Sequence, residues 1–128
     1  MKHISLLFVF LFLCFSVRSQ VVINELDSDT PSVDDREFVE LKSDVPFFSL
    51  DGYVLVFFNG NPTASNANSS YLTIDLSGLV TDANGLVVIG SQLVSPVPAR
   101  IIPDNVIQNG EDAVAIYFAS PDDFPDGT

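Results

Sequence analysis

The residues of this chain best equipped for chemistry are carboxylates. The stretch "NELDSDTPSVDDREFVE" at 24–40 holds seven of them, Glu25, Asp27, Asp29, Asp34, Asp35, Glu37 and Glu40, with Arg36 the single cation inside it. Three chemistries compete for such a stretch. Calcium takes roughly six to eight oxygen ligands, and Glu25, Asp27 and Asp29 alternate so that an extended chain puts them on one side; these three are the calcium candidates, without the D-x-D-x-D-G pattern and terminal Glu of a dedicated calcium loop. A pair of carboxylates held in opposed environments would act as acid and base in glycoside cleavage, but that needs a cleft. The third reading is a solvated acidic loop between two strands, relieved by Arg36, Lys42 and water.

Other chemistries fall away once the first residues are set apart. Residues 1–19 read as a secretory signal peptide: Lys2 and His3 lead a largely apolar run over 4–15, and Val17 and Ser19 occupy the −3 and −1 positions of a cut before Gln20. The apolar run is shorter than the roughly 20 residues that span a bilayer. Cys14 follows the large Leu13, which argues against a lipid-modified cysteine. His3, Cys14 and Met1 are the only residues of their types and all precede Gln20, so residues 20–128 hold no His, Cys or Met, and there is no Trp. A segment with neither His nor Cys builds no His or Cys zinc site and no Ser-His-Asp or Cys-His arrangement. Exported without a disulfide, it depends on packing for stability. The whole chain has a net charge of −12; losing Lys2 and Arg18 leaves Arg36, Lys42 and Arg100 against all 17 acids, a net charge of −14. Such a surface repels phosphate backbones and anionic lipid. No nucleic acid is expected as a partner, and no stable membrane anchor once the leader is cut. The partner expected is a protein or a surface polymer, in a secreted, extracellular or cell-surface setting.

The elements that must position the acids are short strands separated by turn residues. "VVINEL" (21–26), "EFVELK" (37–42), "GYVLVFF" (52–58), "SYLTIDL" (70–76), "LVVIG" (86–90), a weak "RII" (100–102) and "DAVAIYF" (112–118) read as seven strands. The third is apolar on both faces and therefore central. Leu72, Ile74 and Leu76 share one face of the fourth, and Val114 and Ile116 one face of the last. All eight prolines fall outside the expected strands, where a missing N–H does no harm. The Phe47–Phe48 and Phe57–Phe58 pairs read as core, and "NSS" at 68–70 fits a glycosylation sequon. The expectation is an all-β, immunoglobulin-like antiparallel β-sandwich over 20–128, with a small barrel as the alternative.

If 21–26 and 37–42 form a hairpin, their inward faces must match. With Val22 and Leu26 inward beside Val39 and Leu41, the index sums of opposed residues fall near 65. Glu25 and Glu40 then share the outer face. Opposed like charges are unfavourable, so Lys42, Arg36 or a bound cation is expected to relieve them.

Taken in order, "VVINELDSD", "REFVELKS", "FSLDGYVLVFF", "LVVIG" and "NGEDAVAIYF" resemble the lamin tail domain, in the version found in secreted bacterial proteins. Its pattern of apolar-x-I-N-E, a loop, E-[FW]-[IV]-E-L and x-L-x-G-[YW] is met by Ile23, Asn24 and Glu25; by Glu37, Phe38, Val39, Glu40 and Leu41; and by Leu50, Gly52 and Tyr53. The resemblance covers 21–128 and implies an immunoglobulin-like sandwich with no shared catalytic set. The family continues past the "DG" at 126–127 into a further strand, so the resemblance implies a sandwich lacking its last strand or strands. It further implies a non-catalytic module for binding, adhesion or spacing within a larger exported protein. The alternative is the accessory N-terminal domain of an exported nuclease or phosphatase whose catalytic domain lies beyond Thr128.

Overall fold

The computed structural model describes residues 20–127; the expected signal peptide at 1–19 lies outside the described residues. Seven strands form: β1 Val22–Asp27, β2 Phe38–Lys42, β3 Tyr53–Asn59, β4 Ser70–Asp75, β5 Leu86–Gly90, β6 Arg100–Ile101 and β7 Asp112–Phe118, followed by a 3-10 turn at Pro121–Asp123. All seven expected strands are present, with ends shifted by a residue or so. They make two sheets, one ordered β1-β2-β5-β6 and the other β4-β3-β7. Every pairing is antiparallel except β5 with β6, which run parallel. The chain is thus an all-β sandwich rather than a closed barrel.

The sheets meet through the alternate residues of each strand. Val39 and Leu41 from β2, Val87 and Ile89 from β5, Leu55 and Phe57 from β3, and Ile74 from β4 pack into one core, joined by Leu50, Leu76, Ile102 and Ile107 from the connections. Leu72, Val114 and Ile116 pack against it, as the alternation predicts. Burying a Leu or Phe side chain stabilises by about 1.5–3 kcal/mol, and this core stands in for the absent disulfide.

Strand β3 sits at the centre of its sheet and is buried on both faces. Val54 and Val56 point away from the core, yet neither is exposed. They lie on the face that carries Tyr117 and Thr73, their cross-strand partners. The segment after β7 crosses this face. Phe124 stacks on Tyr117 with ring centroids 4.7 Å apart and meets Phe58 edge-on at 6.4 Å. Thr73 Oγ1 donates to the Phe124 carbonyl and Ser70 Oγ to that of Pro125, each at 2.8 Å. Ser120 and Asp123 cap the 3-10 turn reciprocally, side chain to backbone N–H in both directions.

Gly85 closes the turn before β5 with φ +79°, and a Cβ there would collide with the Ser43 carbonyl. Only glycine takes that backbone without strain. Asp82 Oδ1 accepts the N–H groups of Asn84 and Leu86 in the same turn. These bonds, that from Leu86 foremost, hold the Asp82 carboxyl below the usual range.

Two aromatic expectations are corrected. Phe57 is in the core and Phe48 packs against it, but Phe58 lies on the opposite face of β3 against Tyr117 and Phe124, and Phe47 is 68% exposed. Its φ of +55° sits in a left-handed turn between β2 and β3, which throws the ring outward.

Candidate functional site

The acidic stretch spans β1, the loop after it and β2. The hairpin register pairs Val22 with Lys42 and Ile23 with Leu41, slips by one at Asn24, then pairs Glu25 with Glu40, Leu26 with Val39 and Asp27 with Phe38. Glu25 and Glu40 are therefore opposed on the outer face, as the patterning predicts. Two details differ. Val22 points outward and is 45% exposed, while Val21 is buried and Ile23 packs on the core. The bulge at Asn24 is the reason: one extra residue flips the side-chain phase between Ile23 and Leu26. The relief of Glu40 also differs. Its Oε1 accepts from Asn24 Nδ2 at 2.7 Å, a bond supplied by the bulged residue rather than by Lys42 or Arg36.

The three calcium candidates are not gathered. Glu25 and Asp27 lie along the outer face of an edge strand, and Asp29 lies beyond its end, its N–H donating to Asp27 Oδ1 at 3.3 Å. Among the described residues no group of three Asp, Glu, His or Cys side chains is placed to hold a metal ion. Asp27 lines an open groove of about 600 Å³ with Arg36, Phe38, Leu93 and Val94.

The structure instead draws Asp34 and Glu37 together, under the loop that joins β6 to β7. Four successive N–H groups of that loop find acceptors. Asn105 N donates to the Asp34 carbonyl at 2.8 Å. Val106 N and Ile107 N donate to Glu37 Oε2 at 2.8 and 3.4 Å. Gln108 N donates to the Tyr71 hydroxyl at 3.1 Å. The Asp34 carboxylate adds a clasp from the side, accepting from Asn109 Nδ2 at 2.7 Å and from Thr30 N at 2.9 Å. The loop is exposed at Asn105, Gln108 and Asn109 and dips inward at Val106 and Ile107, whose N–H groups turn away from water and need acceptors; two acids and a tyrosine supply acceptors along it.

Glu37 is fully buried. Burial pushes its carboxyl above the usual carboxylate range; the bonds from Val106 and Ile107 oppose this, and the neighbouring charges of Asp34 and Asp104 add to it. Its Oε1 has no hydrogen-bond partner among the described residues, nor does the buried Ser91 Oγ. The two residues are cross-strand neighbours, joined by Ser91 N donating to the Glu37 carbonyl at 2.8 Å. Burial likewise pushes the Tyr71 hydroxyl up to about 12.

The acidic stretch is thus divided. Glu25, Asp27 and Glu40 lie on the outer strand face, Asp29 beyond the end of β1, and Asp35 in the loop, where its N–H donates to the Val33 carbonyl. Asp34 and Glu37 are a structural clasp, which the reading of the sequence missed. A signal for Glu37 was present: it shares the parity of Val39 and Leu41, so a strand that buries these buries Glu37 too.

Two further depressions flank these residues. One of about 450 Å³ is lined by Asn59, Asn61, Gln108, Asn109, Gly110, Glu111 and Asp112. A notch of about 110 Å³ opens between β1 and β7, with Leu26, Phe57, Tyr71, Ile107, Asp112 and Val114 around it. No helix among the described residues is long and apolar enough to cross a membrane. Comparison with protein-family models, with curated proteins and with solved structures finds no match to the chain.

Proposed function

We propose that this chain is a non-catalytic binding, adhesion or spacing module of an exported protein, on a sandwich that resembles the lamin tail domain. The observation that carries this reading is the use made of the acidic stretch. Glu37, the carboxyl with the environment of a catalytic acid, is sealed from solvent and bonded to the backbone of residues 106 and 107. Asp34 is likewise bonded to Thr30 and Asn109. The remaining acids of the stretch lie along the outer strand faces and in the loop between them, without the opposed environments that acid–base chemistry needs. The leader-like residues 1–19 support export, and the absence of His and Cys from 20–128 supports a task without nucleophilic or zinc chemistry.

The test is direct. The purified protein, assayed on DNA, RNA, phosphate esters and polysaccharides, is expected to show no turnover. Turnover that survives further purification and vanishes in Glu37→Gln or Asp112→Asn would overturn the reading.

A further inference from the structure

The chain contains three Asn-Gly pairs, at 59–60, 84–85 and 109–110. Asparagine is a thermolabile residue. A following glycine makes it more so, because no Cβ hinders the next backbone nitrogen from reaching the side-chain Cγ. That approach needs a glycine N–H free of other bonds and a backbone able to turn.

The fold treats the three pairs differently. Asn59 is buried, and its side chain is bonded at both ends: Nδ2 donates to Asn66 Oδ1 and Oδ1 accepts from Asn61 N, each at 2.9 Å. Gly60 N donates to Asp112 Oδ1 at 3.2 Å. Gly85 is buried, and its N–H donates to the Asp82 carbonyl at 3.0 Å. The bonds from Asn84 N and Leu86 N to Asp82 Oδ1 brace the turn around it. Asn109 and Gly110 are both exposed. The Gly110 N–H has no hydrogen-bond partner among the described residues, and a Cβ at Gly110 would meet nothing within 4 Å. What restrains the Asn109 side chain is a single bond, Nδ2 to Asp34 Oδ2 at 2.7 Å.

We propose that Asn109 is a site of spontaneous deamidation, with water as the only co-reactant, and that the reaction undoes the clasp between Asp34 and the loop joining β6 to β7. The Gly110 nitrogen gives its proton to solvent and attacks Asn109 Cγ. The new N–Cγ bond closes a five-membered imide, the Cγ–Nδ2 bond breaks, and ammonia leaves with a proton from solvent. Water then opens the ring. Cleavage at Cγ gives aspartate; cleavage at the main-chain carbonyl gives isoaspartate, whose backbone runs through the former side chain. Either way one water is consumed, one ammonia is released, one carboxylate is created and nothing is oxidised. The consequence follows from the partner. Asn109 Nδ2 is the donor of the clasp and Asp34 Oδ2 its acceptor. A carboxylate at 109 has no proton to donate at neutral pH and sets like charges against each other. The product cannot remake the bond, so the change runs one way. This inference stands apart from the reading of the chain as a binding module.

In the test, the full chain is held at body temperature and mildly alkaline pH, separated by charge on an ion exchanger, digested and mapped by mass spectrometry. One added negative charge is expected to accumulate at residue 109 about tenfold faster than at 59 or 84, where the glycine N–H must first be released from a bond. Gly110→Ala, at a position with open space and no left-handed φ, is expected to suppress the reaction at 109 without lowering Tm. Asn109→Asp reproduces one product, and the amides of residues 106–108 are expected to exchange about tenfold faster in it than in the native chain. Adding Asp34→Asn to Asn109→Asp returns a donor to the pair and is expected to restore the slower exchange. Comparable rates at the three pairs, or earlier conversion at 59 or 84, would overturn the assignment of the site. Native exchange rates in Asn109→Asp, or no recovery on adding Asp34→Asn, would overturn the release of the loop.

Discussion

Glu37 lies two residues before Val39 and four before Leu41, on the same inward face of β2. The local rule that charged residues belong outside is broken here because the loop above has its own requirement: two buried N–H groups need an acceptor. A carboxylate meets it, at a desolvation cost that raises the carboxyl pKa. The sign of the pH dependence follows. A carboxyl raised in the folded state binds its proton more tightly there than in the unfolded chain. Its contribution to stability is present below the ordinary value of 4.5 and is lost as pH rises through the folded pKa. Glu37→Gln keeps the acceptor, adds a donor beside Ser91 and removes the charge. This variant is expected to match or exceed the native Tm at pH 7, and to lose the pH-dependent difference in acid. Glu37→Ala leaves both N–H groups unpaired and is expected to cost about 1–3 kcal/mol in urea unfolding, more in acid than at pH 7. If glutamine proves as damaging as alanine at pH 7, the ionised carboxylate is required and the burial argument fails.

At the scale of elements, β3 is the organising strand. Its run "YVLVFF" reads as buried on both faces, and it is, but the two faces are covered by different means. The core covers Leu55 and Phe57, while Val54 and Val56 lie on the face that the segment after β7 crosses. Phe124 is the residue that holds that segment down, through Tyr117 and Phe58. Phe124→Ala is expected to cost about 2 kcal/mol, less than a fully buried phenylalanine because the ring is only half-buried. It should also increase binding of an apolar dye by uncovering Val54 and Val56. An unchanged unfolding midpoint with no added dye binding would show that the segment does not seal this face. The hairpin of β1 and β2 teaches a different lesson. The facing of Glu25 and Glu40 was legible from alternation, whereas the inward choice between Val21 and Val22 was not. A bulge changes phase without changing composition, and "VVINEL" supports either phase until Asn24 is placed.

For the whole molecule, charge is the dominant property. Seventeen acids against five cations over 128 residues give a net charge of −12, and Arg36, Lys42 and Arg100 are too few and too widely spaced in the chain to grip a phosphate backbone. Non-specific affinity for duplex DNA grows with the number of phosphates neutralised. No retardation of duplex DNA is expected at physiological salt with micromolar protein. A salt-sensitive gel shift would mean that the cations converge on one patch.

Composition and alternation, read from the sequence alone, determined that this is an all-β chain of seven strands with β3 at its centre, and that residues 20–128 carry no His or Cys chemistry. These follow from local physics: side chains alternate in a strand, prolines and glycines break it, and a residue type is present or absent. Tertiary structure alone decided that β5 and β6 run parallel, that four strands face three, and that of seven clustered acids Glu37 turns inward and Asp34 clasps from the surface, both holding a loop some 70 residues away in the chain. Those outcomes depend on which backbone groups of distant segments are left needing a partner once the sheets have packed, and no local pattern records that need.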